Sequence, residues 1–265
     1  MSFFAAAMWS VSAIAALDFF LGILVVTDGQ STELDVVSRV LCEAAAFMTT
    51  LFILTLVHER ERPLSDVLGL RRTPVALLLL GALVGVALQG PVSLIAGAIY
   101  DRYPLPPDQI ELLHQLFDVK ALHRQIAIVV AAGLVGPAVE ELLFRGGIFR
   151  GLRRKHNAIT TVLGISFFFA MAHREPRNFL PDFLGGLAMG YLRSVSGSIW
   201  PAILLHATFN TASVLIALIA GPEADILTRW QNAAAAAVSV ALLAAFGRIA
   251  RRSEVCAAAR DADAK

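Results

Sequence analysis

Hydropathy divides the chain into eight apolar stretches separated by short polar connectors, at residues 3–26, 36–58, 74–100, 125–149, 158–173, 178–193, 198–220 and 230–249. A bilayer core of about 30 Å takes roughly 20 residues of helix, so the pattern predicts a bundle of membrane-spanning helices. The fifth and sixth stretches are short and joined by REPRN, which suits half-length, partly buried helices. Gln89 and Pro91 mark a kink in the third. Between the third and fourth lies YPLPPDQIELLHQLFDVKALHR, where Ile110, Leu113, Leu116 and Phe117 recur at helical spacing after a Pro pair. That is the pattern of an amphipathic helix lying at the interface. The expected fold is all-α: a polytopic membrane protein of about eight transmembrane helices around a buried polar cavity. The first three spans and the interfacial helix fill 1–123, five spans fill 124–252, and 253–265 read as a loose tail.

Composition agrees with this pattern. Of 265 residues, 57% are hydrophobic and 16% charged, where soluble domains have about 45–50% and about 25%. A net charge of +1 gives no footprint for a nucleic-acid partner. The partners implied are the lipid bilayer and a protein or peptide; oligomeric state is not legible. Cys42 and Cys256 form neither a metal-type spacing nor a disulfide framework. The first apolar run lacks a basic segment before it and is too long for a signal peptide, so it reads as a retained span. Fourteen Lys and Arg residues fall on one side of the predicted spans and seven on the other, with Arg145 inside a span. The bias predicts both termini in the cytoplasm.

The charges inside the spans carry the chemistry, because each costs on the order of 2.5–3.5 kcal/mol to insert and usually faces a partner or a wet cavity. Asp18 and Glu43, single acids in the first two spans, read as structural contacts or near-interface positions. The fourth span is different: PAVEELLFRGG holds Glu140, Glu141 and Arg145. Adjacent glutamates point about 100° apart on a helix. Arg145 follows Glu141 by four residues, the spacing of a same-face ion pair. Glu140 is left without a same-helix partner, as suits a general base. His173 ends FFFAMAH four residues after Phe169, and LLHATFN puts Asn210 one turn after His206. Glu140 with His173 can hold and deprotonate a water, and His206 with Asn210 can donate to a developing oxyanion. Glu140, His173 and His206 are also ligand types that suit zinc with an open position, so a metal-free site and a zinc site both remain open. No H-E-x-x-H pair is present. Ser166, a conceivable partner of His206 in a Ser–His dyad, reads as bonding its own helix backbone. Gly186 and Gly190 have close-packing spacing. Counted from the cytoplasmic ends of the predicted spans, His173 lies roughly 10 Å further out than Glu140.

In order, E-E-x-x-x-R (Glu140, Glu141, Arg145), F-x-x-x-H (Phe169, His173) and H-x-x-x-N (His206, Asn210) resemble the CPBP family. These are the CAAX-protease and bacteriocin-processing membrane proteins, also called Abi proteins. The glycine-rich run FLGGLAMGYLRSVSGSIWPAILLHATFN resembles the family's approach to its last motif, and the likeness covers roughly residues 125–215. It implies an eight-helix intramembrane endopeptidase in a prokaryotic cell membrane, with a CAAX-type, bacteriocin or sorting-tail substrate. Eukaryotic relatives remove the last three residues of prenylated CAAX proteins. The resemblance implies that Glu140 and His173 activate water, that His206 and Asn210 form the oxyanion hole, and that Glu141, Arg145 and Phe169 support them. No cofactor is expected in that mechanism, with a divalent metal such as zinc as the alternative. Another class of function fits the same pocket: a non-catalytic immunity or scaffold protein that binds a peptide there. A proton-coupled transporter finds no inverted repeat to support it.

Overall fold

The computed structural model describes residues 1–28, 35–224 and 226–263, and all regular structure among them is helical. Long α1 (Phe3–Asp28) and α2 (Val36–His58) lead to the short α3 (Leu64–Leu68). The third span bends between α4 (Val75–Ala87) and α5 (Gln89–Arg102), at the expected Gln89 and Pro91. Gln89 uses the bend to reach α10, donating to Phe209 O at 2.6 Å and Ser213 Oγ at 3.1 Å. The expected amphipathic helix is α6 (Pro107–Phe117). Its Ile110, Leu113, Leu116 and Phe117 are half-buried while Glu111, His114 and Gln115 are exposed, as the spacing predicted. Next come α7 (Leu122–Arg153), α8 (Ala158–Ala172), α9 (Phe179–Ser196), α10 (Trp200–Ala220), α11 (Arg229–Arg252) and α12 (Glu254–Asp263).

Among the described residues six helices are long and apolar enough to cross a membrane: α1, α2, the bent α4–α5, α7, α10 and α11. The outward sides of these helices are apolar, with Phe4, Phe19, Val26, Phe52, Val57, Leu79, Ile219 and Val240 exposed, as a lipid-facing surface requires. The eight expected segments are present, but two fall short of a full crossing. With 15 residues, α8 spans about 22 Å, and α9 carries Asp182 and Arg193 along its 18 residues. These two form a close hairpin whose packing explains the glycine spacing. A Cβ at Gly186 would come within 3.0 Å of Ser166 Cβ, and one at Gly190 within 3.1 Å of Val162. Ser166 donates to Val162 O at 2.7 Å, its own helix backbone, so the Ser–His dyad has no support.

The terminal residues depart from expectation. Instead of a loose tail, residues 254–263 form α12, and its Asp263 is 3% exposed. Asp263 bonds the guanidinium of Arg193, accepts from Arg71 at 2.9 Å and lies 3.6 Å from Arg150. Arg150 and Arg193 are fully buried, so hydropathy cannot anticipate this docking: it depends on arginines from three distant segments. Removing one partner of a buried ion pair costs about 3–5 kcal/mol, because the remaining charge keeps its desolvation penalty. Asp263→Ala is therefore expected to lower the unfolding temperature of the detergent-solubilised protein well beyond an exposed control, Asp261→Ala. Equal melting of the two variants would refute the clamp.

Candidate active site

The site is assembled on α7, whose hydrogen bonding widens to π-helical at Ala131–Val135 and Leu142–Ile148 on either side of an α-helical turn, Gly136–Glu141. Such expansions concentrate at functional sites because they re-aim side chains and free carbonyls. Pro137 has no N–H for the carbonyls four and five residues before it, Gly133 and Ala132. Both are met from α10: Thr211 Oγ1 donates to Gly133 O at 3.3 Å and Asn210 Nδ2 to Ala132 O at 3.4 Å. The proline in PAVEELLFRGG thus couples α7 to the helix that carries His206.

Glu141 and Arg145 pair as their spacing predicted. Arg145 Nη1 donates to Glu141 Oε1 at 2.7 Å, and both side chains are 0% exposed. The guanidinium also donates to Gly186 O on α9 at 3.2 Å and sits 4.2 Å above the Phe169 ring of α8. Glu141 does more than cancel this charge. The same Oε1 lies 3.0 Å from His206 Nδ1. Since a carboxylate oxygen accepts, Nδ1 is the protonated nitrogen and His206 Nε2 is left for other contacts.

Glu140 points to another partner. Its Oε2 is 3.8 Å from His173 Nε2 and has no hydrogen-bond partner among the described residues. His173 Nδ1 is 2.9 Å from Phe169 O, a carbonyl that can only accept, so the proton sits on Nδ1 and the Nε2 lone pair faces Glu140. A molecule with two protons to give can bridge two acceptors at this separation, 3.8 Å. The depth mismatch between these residues disappears because α7 runs to Arg153, four residues beyond the apolar boundary. Glu140 is then about 20 Å from its end of the bundle and His173 about 22 Å.

Phe169, 2% exposed, stands between the two histidines, its ring 4.6 Å from that of His173 and 5.7 Å from that of His206. It also packs edge-on against Phe144. Among the described residues no three His, Cys, Asp or Glu side chains are grouped to hold a metal, and His206 Nδ1 is taken by Glu141.

Two acids join the site that the motifs do not mark. Glu43, read from sequence as a structural contact or near-interface position, lies beside Glu140 across the α2–α7 interface. Asp182, in the first turn of α9, lies 3.9 Å from His173 Nδ1. The only signal either leaves in the sequence is a lone acid within an apolar helix. Asp18 is a structural contact: it takes two bonds from Arg174 Nη1, at 2.9 and 3.0 Å. Arg174 follows His173 with φ at 58°, in the left-handed region that non-glycine residues rarely adopt. In the same connector, donation from the Arg177 side chain holds the Glu175 carboxyl below its ordinary range.

With this geometry in place, comparison with known proteins is direct. Residues 122–212 match the family model described as "Type II CAAX prenyl endopeptidase Rce1-like". A protein of Bacillus subtilis (strain 168) named "Putative membrane peptidase YdiL" is 30% identical over 91 residues, 34% of this chain and 37% of that relative. The chain thus matches little more than a third of its curated relative's length. No solved structure matches. The matched segment contains Glu140, Glu141, Arg145, Phe169, His173, His206 and Asn210, and it leaves out α1 to α6 with Glu43. Over residues 122–212, this integral membrane protein is similar to the Rce1-like endopeptidases of the CPBP family.

Proposed function

We propose that the protein is an intramembrane endopeptidase that hydrolyses a peptide bond of a membrane-associated protein or peptide by a glutamate-activated water. The observation that carries this reading is Glu140 Oε2 facing the Nε2 lone pair of His173 at 3.8 Å. A water donating one proton to each acceptor is held with its oxygen lone pair free for attack. In this reading Glu140 acts as its carboxylate, the form that accepts a proton. As the water oxygen bonds to the scissile carbonyl carbon, one of its protons passes to Glu140. The oxyanion is met by Asn210, whose amide has a second N–H beyond the one given to Ala132 O. His206 donates from Nε2 when it carries a proton on both nitrogens, its charge offset by Glu141. The C–N bond then breaks and the proton returns to the leaving amine. Such positioned base and oxyanion donors supply about 10²–10³-fold each.

The Rce1-like match supports a CAAX-type C-terminal substrate, with bacteriocin-like or sorting-tail peptides as the other members of that class. Zinc chemistry gains no support from a site whose two histidines are separated by Phe169. Both termini are proposed to be cytoplasmic, which puts the Asp263 cluster on that side.

Against a farnesylated C-terminal reporter peptide, Glu140→Gln and His173→Ala are each expected to lower kcat at least about a hundredfold without a matching fall in melting temperature. Full activity of Glu140→Gln would sink the assignment. Protection of the host by a Glu140→Gln variant that cleaves nothing would favour a peptide-binding protein instead. Ser166→Ala is expected to cleave at nearly the wild-type rate, and a strong chelator to leave turnover unchanged; loss with chelator and recovery with zinc would replace glutamate chemistry with metal chemistry. A reporter active only outside the cytoplasm, fused after residue 265, is expected to stay silent.

A further inference from the structure

We infer that Asp182 is a positioning residue for His173 and completes an acid–histidine–acid arrangement with Glu140. This inference rests on the reading of His173 as part of the water-activating pair. His173 closes α8 and is the more accessible of that pair, its side chain 35% exposed against 9% for Glu140. A ring at a helix end needs its orientation fixed if Nε2 is to face Glu140. The Phe169 carbonyl supplies one restraint on Nδ1, at 2.9 Å. Asp182 supplies the other from a different helix, its Oδ2 3.9 Å from the same nitrogen. That oxygen is buried and has no hydrogen-bond partner among the described residues. The remaining charged and polar groups of the neighbourhood are engaged elsewhere: Glu175 with Arg177, Arg174 with Asp18, Tyr100 with Asn178. An acid in an apolar helix persists where it meets a partner, and the partner it faces is Nδ1.

The arrangement has a chemical consequence. As Nε2 of His173 draws on a proton of the activated water, positive charge develops on the ring, and a carboxylate on the Nδ1 side stabilises it. The same carboxylate favours the tautomer with the proton on Nδ1, the form that keeps the Nε2 lone pair toward Glu140. An outer partner that holds a functional histidine in this way is worth about 10–100-fold in activity. Because the effect acts on the developing charge, it falls on kcat rather than on KM.

Asp182→Asn tests this with little change of shape. Cleavage of the farnesylated reporter by the purified full chain is expected to lose about 10–100-fold in kcat, with KM and melting temperature unchanged, and Asp182→Glu to recover part of the loss. Wild-type kcat in Asp182→Asn would overturn the proposal, as would a kcat loss that tracks a fall in melting temperature. Nitrogen NMR of histidine-labelled protein, with His173 assigned by its absence in His173→Ala, reads the same contact without any substrate. The wild type is expected to show the proton on Nδ1 and Asp182→Asn a displaced signal; identical His173 signals would also overturn it. Glu140→Gln measured in parallel separates the failures. Full activity there removes the water-activating pair, whereas loss there with normal Asp182→Asn removes the role of Asp182 alone.

Discussion

The bundle depends on a single guanidinium, that of Arg145, kept wholly out of solvent. In a low-dielectric interior a charge of this kind is tolerable only when it is paired and hydrogen-bonded. Its partners therefore dictate how four helices meet. Glu141 neutralises it from its own helix, Gly186 accepts from it on α9, and the Phe169 ring of α8 lies beneath it. Glu141 in turn holds His206 of α10. Moving any one of these helices by a turn would leave a buried charge without its counterpart. The Arg145–Glu141 pair thus sets register and orientation more than it adds stability, a role that suits a buried ion pair.

A second polar cluster lies at the ends of the same helices and is joined to the first through the backbone. Arg193 Nε donates to Arg145 O at 3.0 Å, while its guanidinium binds Asp263 and lies over Phe149. Glu59, only 5% exposed, receives Arg154 at 2.9 Å and lies 4.0 Å from Arg150. The cluster thereby ties α2, α3, α9 and α12 to the end of α7, and it does so with arginine, whose planar fork serves several acceptors at once. Between the two clusters the packing is close and apolar, through Leu143, Ile148 and Leu152 against Leu51, Leu54 and Leu68. Glycine admits the nearest approaches: a side chain at Gly85 of α4 would collide with Leu205 O and Thr208 Oγ1 of α10.

The proposed chemistry follows from how these constraints place acceptors. Nδ1 of each histidine is committed, to the Phe169 carbonyl in one case and to Glu141 in the other. Each ring therefore presents Nε2. One faces Glu140 and the other is free to meet substrate. The partners differ: a neutral carbonyl holds Nδ1 of His173, whereas a carboxylate holds Nδ1 of His206 and can offset a second proton on that ring.

Much of this was legible along the chain. Apolar runs of 20 residues or more determine membrane helices because a bilayer leaves backbone polar groups no other partner. Helical spacing was enough for the Glu141–Arg145 pair, the exposed and half-buried faces of α6, the kink at Gln89 and the packing role of Gly186. Contacts between helices were not legible, because nothing in local spacing encodes them. The docking of Asp263 on three distant arginines, the bond from Glu141 to His206, and Glu43 and Asp182 beside the proposed water-activating pair all depend on which faces meet. The continuation of α7 to Arg153 brought Glu140 and His173 to one depth, which a hydropathy boundary four residues short had hidden. Residue types and their order were thus determined by the sequence itself. Which atom faces which was decided by tertiary packing, since buried charges and freed carbonyls admit few arrangements in which most of them find a partner.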